Sequence, residues 1–266
     1  MHTRDHYFAR DNPVADERAR LDRITALYDP ASRQRIVGLP VLLEGARVLE
    51  VAGGTGSVAA WLADQTGAAV VVTDLDTRHL EACGNDRFDV RHHDILAGPP
   101  ETEAFDLVHA RLLISHLVGD ESLAIRNMVG ALRPGGWLVV EDTDYTVGPS
   151  LVRDYPGGPA IERLRNDAAD DLRAARLLDS RAGRHVPDYL ARAGLDDLGH
   201  DGRVAIQRGG DGWATQIIEG YGLLEERLRG TIVDDKTWQT AMAAWRDPDY
   251  AFVSPLDVGA WGRKPK

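Results

Sequence analysis

Apolar residues in this chain recur in two rhythms, and the alternation between them predicts the elements. Val48-Leu49-Glu50-Val51-Ala52 is an apolar run too short for a helix. Gly53-Gly54-Thr55-Gly56 follows, and then Val58, Trp61 and Leu62 stand at helical spacing. The order reads strand, tight turn, helix. Ala69-Val70-Val71-Val72-Thr73 predicts a second strand, Phe88-Asp89-Val90-Arg91 a weaker third, Phe105 to Ala110 a fourth and Trp137 to Asp142 a fifth. Strands interleaved with helical segments predict an α/β fold with a parallel sheet. Ahead of the first strand, Leu21, Ile24, Leu27 and Tyr28 keep helical spacing. Asp29-Pro30 predicts a break there, with a short second helix through Arg35-Ile36-Val37 closed by Gly38-Leu39-Pro40. Tyr155-Pro156-Gly157-Gly158-Pro159 is another break, followed by helices through Ile161 to Leu178 and through Arg184 to a closing Gly194. The remainder predicts a strand over Gly202 to Gln207, two helices over about 211–229 and 235–246, and a last strand from Tyr250 to Arg263.

The first strand, turn and helix carry candidate chemistry. Glycine lets a turn take positive φ and lets a ligand approach the backbone. The amides that open the following helix lack intrahelical partners and face that ligand. Asp74 ends the second strand, where a carboxylate can accept hydrogen bonds from a ribose diol. Together they describe a site for an adenosine-containing ligand at the carboxyl edge of the sheet.

Glu50-Val51-Ala52-Gly53-Gly54-Thr55-Gly56 resembles the first motif of the class I S-adenosylmethionine (SAM) dependent methyltransferases, E-x-G-x-G-x-G. Ala52 stands where that family usually has a glycine. Gly54-x-Gly56-x-x-Ala59 also satisfies the looser nucleotide fingerprint G-x-G-x-x-G/A, so a dinucleotide stays open on this stretch alone. The rest of the chain favours the methyltransferase. Phe105-Asp106-Leu107-Val108-His109-Ala110-Arg111 and the turn Leu132-Arg133-Pro134-Gly135-Gly136 look like family pieces in family order. No Tyr-x-x-x-Lys pair of the dehydrogenase kind occurs. The chain is similar to the bacterial group that includes UbiE-like quinone-biosynthesis and natural-product methylases.

That resemblance implies a Rossmann-like seven-stranded sheet with helices on both faces. It implies an N-terminal helical lid over 1–45, a SAM-binding core over 46–150, and a C-terminal part over 151–266 with a helical insertion at about 208–247. SAM would be held by Glu50, Ala52, Gly53, Gly54, Gly56, Asp74, Leu75, Asp94, Ile95, Ala110 and Arg111, with Asp94 on the adenine amino group. His116 is the candidate general base, since an imidazole titrates near neutrality. Arg111 could instead bond a lid carboxylate, and His116 could be a packed helix residue. Tyr7, Tyr28, Asp142, Tyr145 and Trp213 are candidates for the acceptor pocket, and Phe8 is a further lid aromatic.

Composition narrows the acceptor. The 266 residues suit one large domain, and 43% hydrophobic content supports a sizeable core. A net charge of −11 repels phosphate backbones and counts against nucleic acid. No N/D-P-P-Y/F-like tetrapeptide follows the fourth strand, which argues against methylation of base amino groups. No apolar run is long enough to span a membrane, and the first residues lack the apolar core of a signal peptide. Cys83 is the single cysteine, which excludes an internal disulfide and a cysteine-based metal site, so a cytoplasmic protein is expected. His92-His93 lacks further ligands at metal spacing, so no metal is expected. The expected protein is therefore a methyltransferase acting on a small molecule, in secondary metabolism, with a homodimer through the N-terminal helices as the pairing the fold suggests. A SAM-fold protein that no longer transfers methyl, and a methyltransferase of RNA or protein, are the alternatives.

Overall fold

The computed structural model describes residues 14–41, 43–81 and 87–266, so Tyr7, Phe8 and Cys83 lie outside the described residues. Helix α1 (Val14–Val37) is followed by β1 (Arg47–Val51), α2 (Ser57–Thr66), β2 (Ala69–Asp74), α3 (Arg78–Glu81), β3 (Asp89–His92) and β4 (Phe105–Arg111). Then come α4 (Glu121–Ala131), β5 (Leu132–Asp144), α5 (Gly158–Ala174), α6 (Val186–Ala191), β6 (Asp196–Arg203) and β7 (Ile206–Arg208). The chain closes with α7 (Gly212–Gly222), α8 (Glu225–Leu228), α9 (Asp235–Ala244), β8 (Ala251–Val253) and β9 (Leu256–Arg263).

Seven strands form one sheet in the order β3-β2-β1-β4-β5-β9-β6, and β7 pairs with β8 in a separate ribbon. The first five strands are parallel, and β9 runs antiparallel to both β5 and β6. The seven-stranded Rossmann-like expectation holds. Because side chains alternate across a strand, the apolar runs feed two cores. Leu49, Val51, Val108, Ala110, Leu138 and Val140 meet Ile125 and Met128 of α4 and Val186 and Leu190 of α6. Val48, Val70, Val72, Leu107 and Val139 meet Val58 and Leu62 of α2 and Ile36 of α1. A third cluster lies in the cap, where Ile24 and Tyr28 of α1 pack with α5, α7, α9 and Phe252 of β8.

Several boundaries differ from expectation. Helix α1 runs unbroken through Pro30. A proline there removes one helical hydrogen bond. Tertiary contacts on the same turns hold the helix: Tyr28, Ala31, Ser32, Arg35 and Ile36 are all buried. The strand expected over 202–207 divides, with β6 ending at Arg203 and β7 starting at Ile206 in the other ribbon. The last strand divides likewise at Ser254-Pro255, since proline has no N–H for the ladder. Arg133-Pro134-Gly135-Gly136 bulges within β5, because Phe105 pairs with Leu132 while Leu107 pairs with Trp137. Gly135 takes the left-handed φ of 82° that this reversal needs. After β4 the chain forms only a short 3-10 turn, Ile114–His116, where a helix was expected. Among the described residues, no helix is long and apolar enough to cross a membrane.

Candidate active site

Strand order reverses between β1 and β4, and in open parallel sheets ligands bind at such a switch point, beyond the carboxyl ends of the strands. A cavity of about 1400 Å³ opens there. Its floor is the turn from β1 to α2. Gly54 at φ 55° and Gly56 at φ 76° make the reversal, and Ala52 shares the left-handed region at φ 56°. A side chain on Gly53 would collide with Val72, so only glycine lets the turn sit this close to β2. Gly56 packs under Phe88 and Leu80 and forms the N-cap of α2.

The cavity lining brings together Glu50, Ala52, Gly53, Gly54, Asp74, Leu75, Asp94, Ile95 and Arg111. Gly56 and Ala110 stand behind that lining, with Ala110 fully buried in the sheet. Asp74 accepts from the amides of Gly54 and Asp76, each at 3.0 Å. Burial lifts its carboxyl above the ordinary aspartate range, and those amides oppose the lift. Beside it, Leu75 is 54% exposed, an apolar surface at the mouth of β2. Asp94 caps the turn after β3 by accepting from Leu96 N–H at 2.9 Å.

Beneath this floor lies a buried charge network that sequence reasoning missed. Glu50 and His109 are register partners on β1 and β4, and the His109 Nδ1 to Glu50 Oε2 distance is 2.6 Å. Glu141 of β5 lies 3.5 Å from His109 Nε2 and pairs with Arg35 of α1 at 3.0 Å. Arg35 also reaches Asp201 and Asp257. Coulombic attraction to Glu50 and Glu141 outweighs burial and raises the His109 imidazolium to about 9. The same pairing lowers Glu141 to about 2 despite its burial. A signal was present in the chain: Glu50, His109 and Glu141 are polar positions inside otherwise apolar strands, and such groups need partners.

Arg111 is tied to α1 rather than standing free. It donates to Ser32 Oγ at 2.8 Å and to Asp29 Oδ1 at 3.0 Å, and Ser32 in turn donates to Glu141 at 2.6 Å. Asp29 also accepts from Ser57 Oγ at the start of α2. Helix α1 is thus fastened to both the sheet and the glycine turn, and Glu17, Arg20, Leu21 and Ile24 of its first half line the cavity.

On the far side the cavity is walled by the cap. His116 and Tyr145 line it. His116 is half-buried, and desolvation with the nearby Arg20 charge lowers its imidazole to about 4. Three expected pocket residues stand elsewhere. Tyr28 is buried, with its hydroxyl 2.8 Å from Thr143 Oγ1 and 3.2 Å from Tyr145 Oη. Trp213 packs edge-on against Tyr28 at 5.2 Å. Asp142 is fully buried and accepts from the Ser115 and Thr143 amides, with burial pushing its carboxyl up to about 6. These residues build the wall behind Tyr145 because strand alternation turns Asp142 inward and the cap packs over Tyr28. Tyr221 and Trp245 of the expected insertion line the cavity, as do Arg165, Leu172, Gln216 and Leu224, which sequence reasoning did not assign to it. Among the described residues no group of three or more His, Cys, Asp or Glu could hold a metal.

Residues 48–136 match a family described as "Methyltransferase domain". Methyltransferase GfsG of Streptomyces halstedii is 33% identical over 165 residues, covering 58% of this chain and 54% of that protein. The chain thus spans about half the length of that relative. Ubiquinone/menaquinone biosynthesis C-methyltransferase UbiE of Hahella chejuensis is 26% identical, covering 73% of this chain and 88% of that protein. In fold, the chain is similar to phosphoethanolamine N-methyltransferase 2 of Haemonchus contortus, solved with phosphomonomethylethanolamine and S-adenosylhomocysteine. The TM-score is 0.63 at 15% identity, over 100% of this chain and 61% of that one.

Proposed function

We propose that the chain is a class I SAM-dependent methyltransferase, as its methyltransferase-domain match over 48–136 supports, and that it transfers the methyl group of SAM to a small-molecule acceptor in secondary metabolism. The observation that carries this reading is a single cavity floored by the glycine turn and walled by an apolar cap. At about 1400 Å³ it exceeds the roughly 300–1,000 Å³ that ordinarily houses one ligand, so cofactor and acceptor fit together.

The residues present suit SAM. The Gly54 position has nothing within 4 Å on its open side, so the turn offers a cradle for the methionine part. The Asp74 carboxylate keeps acceptor capacity beyond its two backbone bonds, enough for a ribose diol. Leu75 and Ile95 offer apolar faces for an adenine, and Asp94 is the candidate acceptor for its amino group. SAM, when bound, supplies a methyl on a sulfonium, an excellent leaving group.

The protein's own part is to hold the acceptor in line and exclude water. The apolar wall of Leu172, Ile217, Leu224 and Trp245 does the second. His116 is our candidate base. Its lowered value keeps the imidazole neutral and able to accept a proton throughout the neutral range. A base this weak suits an acceptor that sheds its proton late, after the new bond has made that proton acidic. Helix α1 serves as a fixed part of the lid over 1–45 that we propose for the N-terminal segment. The net charge of −11 favours a small molecule over nucleic acid, and we assign the chain to the cytoplasm and to a homodimer on the same footing as the resemblance.

The test uses SAM labelled in its methyl group, incubated with the protein and a cell extract separated into small molecules, protein and nucleic acid. Label is expected in the small-molecule fraction. Label in a macromolecular fraction, or tight SAM binding without transfer to any fraction, overturns the assignment. With a product in hand, kcat/KM is expected to rise with pH through about 4 on the acid side, and His116→Ala to remove that limb.

A further inference from the structure

Three arginines are deeply buried among the described residues: Arg20, Arg35 and Arg165. Two of them have carboxylates. Arg20 pairs with Glu17 at 2.6 Å. Arg35 pairs with Glu141, Asp201 and Asp257. Arg165 is 7% exposed, and no acid among the described residues reaches it. Its one polar contact is neutral: Nη1 donates to the Gly148 carbonyl at 2.7 Å. The chain has 42 acidic and 31 basic residues, so acids to pair with were plentiful. The three aspartates of α5 go to other arginines, Asp167 to Arg163, Asp170 to Arg181 and Asp171 to Arg227, and its exposed Glu162 forms no ion pair with Arg165.

Arg165 also stands in the wrong place for a solvated charge. Helix α5 buries Ile161, Leu164, Arg165, Ala168, Ala169 and Leu172, so the arginine lies within the apolar stripe. It lines the cavity beside Leu172, Tyr221 and Leu224, on the wall built by the cap. Burying a charge without a partner is costly and persists where something repays it. A guanidinium has five N–H donors. With one spent on Gly148, its Nε–Nη2 edge remains for a two-point bond to a carboxylate.

We propose that Arg165 anchors a carboxylate of the acceptor, so that the cavity takes an acid with an apolar body. Arg165 stands there among Leu172, Tyr221 and Leu224, and one guanidinium matches one negative charge. This inference rests on the methyl-transfer reading only for the word acceptor, since the anchor itself is a binding site.

The test compares matched ligands by calorimetry on the whole chain with and without SAM: octanoate, octanol and octyl phosphate. Octanoate is expected to bind at least ~10-fold more tightly than octanol, as for a hydrogen bond to a charged group. Arg165→Gln is expected to lose that preference while octanol affinity holds, and Arg165→Lys to recover part of it. Equal binding of octanoate and octanol by the unaltered protein overturns the anchor, whatever the variants do. Octyl phosphate binding more tightly than octanoate overturns the carboxylate assignment in favour of a phosphate. Octanoate held through Arg165 with no methyl transfer to any acceptor supports the anchor and counts against the proposed reaction alone.

Discussion

The two halves of the cavity handle polar groups in opposite ways. At the sheet edge nearly every charge is already engaged by the protein. Asp74 holds the Gly54 amide, Glu50 faces His109, and Arg111 is bonded to Ser32 and Asp29. Across the cavity Leu172, Leu224 and Trp245 line the wall, and among the described residues no acid pairs with Arg165. The first arrangement pre-organises a surface for a ligand that never changes, because fixed dipoles need not reorient when it arrives. The second leaves one strong interaction unmade, and whichever molecule makes it is selected. Constancy and choice are thus built from different chemistry within one cavity.

The largest expected effect comes from breaking the floor of the engaged half. His109→Leu leaves Glu50 and Glu141 facing each other in the sheet without their shared cation, and should cost about 3–5 kcal/mol of stability in urea unfolding. The unaltered protein carries the same signature in its pH dependence. The folded His109 value of about 9 lies above the unfolded 6.5, so its stabilisation is complete below 6.5 and is lost as pH rises through about 9. Melting temperature should therefore fall across that alkaline window in the native sequence and vary less there in His109→Leu. A variant within about 1 kcal/mol of the native protein would show that the network is not holding the strands together.

A smaller effect sharpens the comparison without unfolding either half. Asp74→Asn keeps one acceptor oxygen but loses the charge, and should weaken SAM by roughly 10- to 100-fold, the worth of a hydrogen bond to a charged group. Octanoate affinity should be unchanged, because that ligand meets the other wall. Equal loss of both ligands would mean that the two halves are one coupled site. The smallest effect is at Ala52, which holds φ 56° with a side chain. Ala52→Gly should relieve the left-handed strain and raise the urea midpoint by the equivalent of about 0.5–1 kcal/mol, part of the gain being offset by the freer unfolded chain. A lower midpoint would place the strain elsewhere.

The legible parts were those whose signals are local. Gly53-Gly54-Thr55-Gly56 between an apolar run and a helical stretch is a turn on any tertiary background, since few other residues tolerate that backbone. The position of Asp74 was legible from the apolar run it ends, and the structure sets it in the cavity lining. Pro30 misled because a local rule met a helix anchored by contacts far away in sequence, such as Ser32 to Glu141 and Arg111 to Asp29. Tyr28, Asp142 and Trp213 have the chemistry of pocket residues, but burial is set by what packs over them.

By itself, then, the sequence determined the strand-turn-helix order, the parallel core and the edge at which the cavity opens, because hydrophobic period and glycine conformation act over a few residues. Only the tertiary structure decided which polar groups meet. It brought His109 between Glu50 and Glu141 through strand register, and set Arg165 on the apolar stripe of α5 with no acid of the described residues in reach. Pairing is a property of distance in space, and the residues that pair or fail to pair here lie on different elements of the chain.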